Sequence, residues 1–415
     1  MPRREAWRFL LITGPVYFLL LWLLASAVWT RGWLVIAAGV LLLGIASGLL
    51  VRGHIAPLFA LYFLALLGGF GLLACECLLR LSPGLLSGEM ANAVFSVYHT
   101  NPGGIYQRDD HLGNALRPDF GTWAWWNGHR WWHETNARGY RGPELARADA
   151  VFLGDSMIYG HGVDNQHTVA SQYQAITGLA SANLGIQGTG AIHALIMLDQ
   201  LGSTLEPRQV FLCCHPNDPL DLGYCYDDEE LHRFLASPPE APALPLARAN
   251  LRPSSRSLTQ QWNSWCAVPL RSAGLIRGFV RAVARSHLSS RPLAAPPAPP
   301  GNFVPPAKVI QAGYPTDVGA DAFRWRCHCH ALAAIQAWCD RHGATLTLFD
   351  LGYPRLFSQK IEAWAGAHGV AYSPAGALVL ERAKKGEEVY LINDGHWSPL
   401  GCRLIADELA KESHD

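Results

Sequence analysis

Charge is scarce in this chain, and neither sign is in excess. Only 16% of the 415 residues are charged, and 33 Lys and Arg balance 33 Asp and Glu. Electrostatic capture of DNA or RNA needs a basic excess, so no nucleic-acid partner is expected. No internal repeat is present, which excludes a solenoid. Cys327-His328-Cys329-His330 has no second ligand pair at zinc-site spacing. On a helix Cys327 and His330 would share a face while Cys329 points elsewhere, so no metal site is assigned. The amino terminus also lacks the short apolar core and small-residue cleavage site of a removable signal peptide.

Apolar residues make up 50% of the chain, ample for a sizeable core. Three uncharged or nearly uncharged runs come first: Phe9 to Trp29, Trp33 to Val51, and Ile55 to Leu79, the last charged only at Glu76. Each is long enough to cross a bilayer core of ~30 Å, so residues 1–80 are expected to form three transmembrane helices. Arg3, Arg4 and Arg8 precede the first run, only Arg31 follows it, and Arg52 and His54 lie in the next loop. This bias favours a cytoplasmic amino terminus and, after three crossings, a periplasmic domain on a bacterial inner membrane. Of ten cysteines, Cys75 and Cys77 fall in the third run, and Cys213 and Cys214 in a core strand. Cys225, Cys266, Cys327, Cys329, Cys339 and Cys402 could form disulfides in an oxidising compartment.

Residues 81–149 form a connecting region. Within it Thr122 to Trp132 places Asn127-Gly128 between aromatic-rich runs, the pattern of a two-residue hairpin. In that register Trp123 faces Trp132 and Trp125 faces Arg130. The indoles suit either packing onto the domain or the bilayer surface, or a platform for a sugar ring; packing is the better expectation. From about 226 to 307 the chain departs from strand-helix alternation. Ser237 to Pro245 and Pro292 to Pro306 are proline-rich and read as extended linkers. Between them Leu270 to His287 reads as a helix with Arg277, Arg281 and Arg285 on one face. That face suits a membrane interface or a solvated cap helix equally.

The remainder, 150–415, is organised around Val151-Phe152-Leu153-Gly154-Asp155-Ser156. Ala150 to Leu153 reads as a buried strand, and a helix is expected from about Gln166 to Gly178. Ser156 thus sits at the carboxyl end of a strand, where doubly wound sheets place reactive groups. Asn183-Leu184-Gly185-Ile186-Gln187-Gly188 follows a second strand, Ser181 to Leu184. His215-Pro216-Asn217-Asp218 follows a third, Gln209 to Cys214. Helices at Ala320–His342 and Leu356–His368, strands at Thr345–Leu351 and Val370–Tyr372, and a closing helix at Pro399–Lys411 continue the alternation. Asp394-Gly395-His396-Trp397-Ser398 precedes that last helix. Such alternation implies an α/β fold with a parallel sheet and helices on both faces. In order, these four blocks resemble the SGNH (GDSL-type) serine hydrolase superfamily over about Gly139 to Leu409. The resemblance implies a doubly wound, flavodoxin-like, five-stranded sheet of order 2-1-3-4-5. It also implies chemistry that needs no cofactor and no metal.

An ester carbonyl needs a nucleophile, a base and donors for the oxyanion. Ser156 is the nucleophile candidate, His396 the base, and Asp394 the residue that orients the imidazole. The oxyanion donors implied are the Ser156 N–H, the Gly188 N–H and the Asn217 side-chain amide, with Asp155 and Asn393 in supporting positions. Gly185 is expected to permit a tight turn after its strand. Two features depart from the family pattern: His215 stands where a glycine is usual, and the acid stands two residues before His396 rather than three, where Asn393 lies. Asp-x-His-Trp resembles the alginate O-acetyltransferase-like branch. Singly, Gly154-Asp155-Ser156 also suits a helix cap and Asn217-Asp218 a turn. Together they point to acyl transfer on a cell-envelope glycan or a lipid ester. The alternatives are a polysaccharide O-acetyltransferase fed by a separate membrane acyl-donor protein, and a catalytically idle binding or assembly subunit.

Overall fold

The computed structural model describes residues 94–100, 104–248, 322–392 and 394–412, with isolated positions 71, 74, 75, 78, 79 and 92 before them. The chain divides into two compact units: Met1–Ser96 with Asn101–Gly103 and Arg256–Leu293, and Val97–Thr100 with Gly104–Ser255 and Ala294–Asp415. The second unit holds nearly all the described residues and is the one considered below. The three expected membrane runs, the basic helix at 270–287, the proline-rich run at 292–306, Cys77, Cys266 and Asn393 lie outside the described residues. Among the described residues no helix is long and apolar enough to cross a membrane.

Four short strands open this unit: β1 (Tyr106–Asp109), β2 (Gly113–Leu116), β3 (Gly121–Trp126) and β4 (His129–Glu134). β1 pairs with β2, and β3 with β4, each antiparallel. The β3–β4 register sets Trp123 opposite Trp132 and Trp125 opposite Arg130, as the Asn-Gly signal predicts. Asn127 and Gly128 both take positive φ, 47° and 90°, which suits the backbone twist of a two-residue hairpin.

Five parallel strands follow: β5 (Ala150–Leu153), β6 (Ser181–Asn183), β7 (Gln209–Cys214), β8 (Thr345–Asp350) and β9 (Ala371–Ser373). Their spatial order is β6-β5-β7-β8-β9, or 2-1-3-4-5 when counted within this sheet. Successive side chains alternate between faces, so one apolar run feeds two cores. Val151, Leu153, Val210, Leu212, Leu346 and Leu348 belong to one cluster. That cluster is covered by α3 (Ala191–Met197), α6 (Ala322–His342) and α7 (Arg355–His368). Ala150, Phe152, Phe211, Cys213 and Phe349 belong to the other. Over them pack α2 (Val169–Thr177), α8 (Ala375–Lys384) and α9 (Pro399–Glu412). Between β5 and α2 lies the one-turn helix α1 (Ser156–Tyr159); α4 (Asp218–Cys225) and α5 (Asp228–Ala236) follow β7.

Helices α3, α4, α5 and α8 were not legible in the sequence. Helix α5 lies inside the stretch expected to break the pattern, because three acidic residues at its first turn favour a helix start there. The proline-rich run from Ser237 to Pro245 is not extended throughout, since the Ala241 N–H closes a turn on the Pro238 carbonyl at 3.0 Å, and the residues after it are tied down: Tyr226 bridges Ala247, and the Leu246 N–H donates to Glu230 Oε2 at 2.7 Å. The disulfide expectation is also corrected. Cys225 on α4, Cys327, Cys329 and Cys339 on α6, and Cys402 on α9 are free thiols, buried or half-buried. Cys213 and Cys214 are buried in β7 as expected.

The connecting region is part of this unit. Arg141 is 1% exposed. Its guanidinium donates to the carbonyls of Tyr159 (2.8 Å), Gly160 (2.7 Å) and Val163 (2.9 Å) and to Asn165 Oδ1 (2.6 Å). Such a buried cation is tolerated only when its donors are satisfied. Here they are spent on the loop that leaves α1, so residues before β5 help shape the chain after Ser156.

Candidate active site

β5 ends at Leu153, and Asp155 caps α1 by accepting the Met157 N–H at 2.9 Å. Ser156 is therefore the first residue of a helix directly after a strand. Parallel strands end on one edge of the sheet, so the Gly185–Gly188 and His215–Asp218 loops emerge beside it. Ile186 N–H donates to the Gly154 carbonyl at 3.1 Å. Gly185 is needed for close approach rather than for a turn: its φ is ordinary, and a Cβ there would lie 2.3 Å from Tyr159 N and 2.7 Å from Ile158 C. Gly188 is the residue that takes positive φ, 66°, in open space.

Asp394 and His396 stand on the loop before α9. His396 Nε2 lies 2.8 Å from Ser156 Oγ, and His396 Nδ1 contacts Asp394 Oδ1 closely. A carboxylate only accepts, so Nδ1 carries the ring proton and Nε2 is left to accept from the serine hydroxyl. Asp394 Oδ1 also accepts the His396 backbone N–H at 3.0 Å. Burial pushes the Asp394 carboxyl up, but the His396 hydrogen bond and charge, with smaller help from His161, outweigh it and hold the group well below the usual carboxylate range. The two-residue spacing from acid to histidine thus closes the same contact that the family's three-residue spacing is expected to make.

Asn217 begins α4, and its backbone N–H donates to His215 Nδ1 at 3.2 Å. Its side-chain Oδ1 is buried with no hydrogen-bond partner among the described residues. The polar atoms of Asp155, His215 and Asp218 lie within 4.8 Å of one another, which holds the Asn217 turn against the base of α1. By composition this trio could hold an ion, as could His161, Asp394 and His396. In the first, Asp218 Oδ2 accepts the His215 N–H at 3.0 Å and His215 Nδ1 accepts the Asn217 N–H; in the second, Asp394 Oδ1 and His396 Nδ1 are engaged with each other, while His161 Nε2 is buried without a hydrogen-bond partner among the described residues. Burial and then the Asp155 charge push Asp218 up and carry Asp221 to about 7; burial pushes His215 down. On α6, Cys327 and His328 are buried and Cys329 and His330 half-buried.

Several residues at the site carried no sequence signal. Asn127 Nδ2, at the tip of the Trp-rich hairpin, donates to Asp394 Oδ2 at 2.9 Å. His129 Nε2 lies 2.6 Å from the Ile392 carbonyl. His161 stacks on His396, and Trp126 and Trp131 pack around His161. The hairpin therefore has two faces. Trp131 is buried, whereas Trp123 is 50% exposed with the Arg130 guanidinium over its ring at 3.9 Å, and Trp132 is 37% exposed. The packing expectation holds for one face only, because strand residues alternate.

No protein-family model matches this chain, and a search of curated proteins finds no significant match. Among solved structures it is similar to a G-D-S-L family protein from Desulfitobacterium hafniense DCB-2 to which lipolytic activity is ascribed. That similarity has 10% identity and a TM-score of 0.34, over 63% of this chain and 97% of that one.

Proposed function

We propose that this chain is a serine ester hydrolase or O-acyltransferase of the SGNH type, with Ser156 as nucleophile, His396 as base and Asp394 as its orienting acid. The observation that carries the reading is the 2.8 Å contact between His396 Nε2 and Ser156 Oγ, with Asp394 on the other ring nitrogen. A serine hydroxyl is a weak nucleophile until a base removes its proton. Ser156 Oγ attacks the ester carbonyl carbon as its proton passes to Nε2. The oxyanion takes hydrogen bonds from the Ser156 N–H, the Gly188 N–H and the Asn217 amide. Collapse breaks the carbon–oxygen bond, the leaving alkoxide takes the proton from His396, and an acyl-Ser156 ester remains. Water or a sugar hydroxyl then attacks the carbonyl carbon of that ester and gives its proton to His396, which returns it to Ser156 Oγ as the acyl–oxygen bond breaks.

Cell-envelope glycan or lipid O-acyl groups are the substrates this reading favours, on a protein anchored in the inner membrane with its catalytic domain in the periplasm. The three apolar runs and the arginine bias at the amino terminus support the location. Transfer to a polysaccharide, fed by a membrane acyl-donor protein, is favoured over hydrolysis only by the Asp-x-His-Trp block. Fluorophosphonate labelling of the detergent-solubilised full chain tests the core of the proposal: an adduct on Ser156 is expected. Absence of an adduct, or its persistence in Ser156→Ala, leaves the idle binding subunit as the better reading. Supplying an acyl donor with and without glycan separates transfer from hydrolysis.

A further inference from the structure

A second histidine lies against the candidate triad. His161 is 5% exposed and stacks on His396 with ring centroids 4.1 Å apart and planes 24° from parallel. Its Nδ1 lies 3.0 Å from Gln187 Nε2 and 3.2 Å from the Tyr98 hydroxyl, and Gln187 Nε2 also donates to Tyr98 at 3.1 Å. A side-chain NH2 group can only donate, so Nδ1 accepts and the neutral ring carries its proton on Nε2. That Nε2 lies 4.0 Å from Asp394 Oδ2, beyond hydrogen-bond length, and is buried without a hydrogen-bond partner among the described residues, so the Asp394 charge is the acceptor nearest to its N–H. Asn127 reaches the same oxygen from the hairpin.

These contacts join otherwise separate parts of the site. His161 ends the turn after α1, Gln187 immediately precedes Gly188, Asp394 and His396 are on the loop before α9, and Tyr98 comes from the connecting region. Burial, then the neighbouring His396 charge, push the His161 imidazole down to about 3 against the opposing pull of Asp394. It therefore stays neutral wherever His396 must cycle its proton. Two imidazoles stacked this closely cannot both be charged without strong repulsion.

We propose that His161 is a positioning residue for acyl transfer: a neutral imidazole that fixes the His396 ring and the Asp394 carboxylate and ties both to the loop bearing Gly188. The proposal rests on the serine-enzyme reading above. It says that the polarity of His161, acceptor at Nδ1 and donor at Nε2, matters as much as its bulk. Tyr98, Gln187, Trp126, Trp131, Asp394 and His396 are the groups that face it, and Asp394, held well below the usual carboxylate range, stays charged at neutral pH.

Two substitutions separate polarity from volume. His161→Phe keeps a stacked ring and loses both polar contacts; His161→Gln keeps an acceptor and a donor and loses the ring. In the full chain in detergent, with a p-nitrophenyl ester as probe, His161→Phe should lower kcat roughly 10- to 100-fold with KM little changed. His161→Gln should recover most of that loss. The reverse order overturns the proposal, since it would mean that His161 only fills space. Nitrogen-15 NMR of labelled histidines gives a readout that needs no turnover: His161 should be neutral and Nε2-protonated at pH 6. A charged ring, or a proton on Nδ1, overturns the proposal whatever the kinetics. Absence of a fluorophosphonate adduct on the wild type would instead sink the parent reading, leaving the NMR result to decide the state of His161.

Discussion

The side-chain amide of Asn127 donates a 2.9 Å hydrogen bond to the Asp394 carboxylate, 267 residues away in the chain. Asn127 is also one of the two turn residues of the β3–β4 hairpin. One residue therefore shapes a local turn and holds the acid of the candidate triad. Asn127→Gly removes the contact while keeping a residue that accepts the positive φ of 47° the turn needs. A hydrogen bond to a charged group contributes ~1.5–3 kcal/mol, so kcat should fall by about tenfold or more with KM nearly constant. Steady-state kinetics on a chromogenic ester check this, and unchanged kcat would mean that Asn127 does not orient Asp394.

Ser156 and His396 act through one shared proton. Ser156→Ala and His396→Ala should each lower kcat by about 10⁴-fold or more, and the double variant should lose little beyond either alone. Additive losses in the same assay would show that the two side chains do not work as a unit.

Asn217 has a buried side-chain oxygen without a partner among the described residues, and its backbone is held by His215. If its amide serves the oxyanion, Asn217→Ala should cost roughly 10²- to 10³-fold in kcat, the usual loss for one such donor. The fold should survive, because α4 keeps its backbone contacts. A variant with normal kcat would remove Asn217 from the hole.

Gly185 packs its backbone against α1, so Gly185→Ala must push Tyr159 or the 184–186 segment away. Overpacking of this kind costs ~1–3 kcal/mol, and here the obstacle is backbone rather than a side-chain end. A lower urea midpoint is expected, together with lost activity, since α1 begins with Ser156. Unchanged stability would show that the two segments can separate freely.

Histidines buried in their neutral form set the expected direction of stability in mild acid. Burial lowers His133 and His161 to about 3 and His193 and His328 to about 4; nearby charge on Arg141 and His396 adds to the first two respectively. Unfolded, each would bind a proton near 6.5. The unfolded state thus binds more protons between about pH 6.5 and 4, and stability falls as pH drops through that window. Each histidine contributes up to ~1.4 kcal/mol per pH unit. Burial pushes His215 down in the same sense and acts in the opposite sense on three carboxyls, Asp218 and Asp350, which are pushed up, and Asp221, raised to about 7; these favour the fold as pH falls. Five histidines outweigh three carboxyls, so the urea midpoint should be lower at pH 5 than at pH 7. A midpoint that rises toward pH 5 would contradict the burial of these rings in their neutral form.

Much of the sheet was readable along the chain. Strands at 150–153 and 209–214 have the predicted bounds, those at 181–183 and 345–350 end one residue earlier, and that at 371–373 is displaced by one residue at both ends. Short apolar runs bounded by glycine or polar turns are local signals. Helix α8 has a weaker local signal: its buried stripe is short, Ala375, Gly376, Val379, Leu380 and Ala383, and only Val379 and Leu380 in it are large apolar residues.

The sequence by itself determined the alternation of strands and helices, the hairpin register, and the identity of Ser156, Asp394 and His396 as candidates. These follow from local periodicity and from the types of side chain that acyl-transfer chemistry requires. Only the tertiary structure decided that Asn127, His161, Gln187 and Tyr98 belong beside them. Their placement depends on hydrogen bonds and ring stacking between segments far apart in the chain, and such contacts leave no periodic trace in the order of residues.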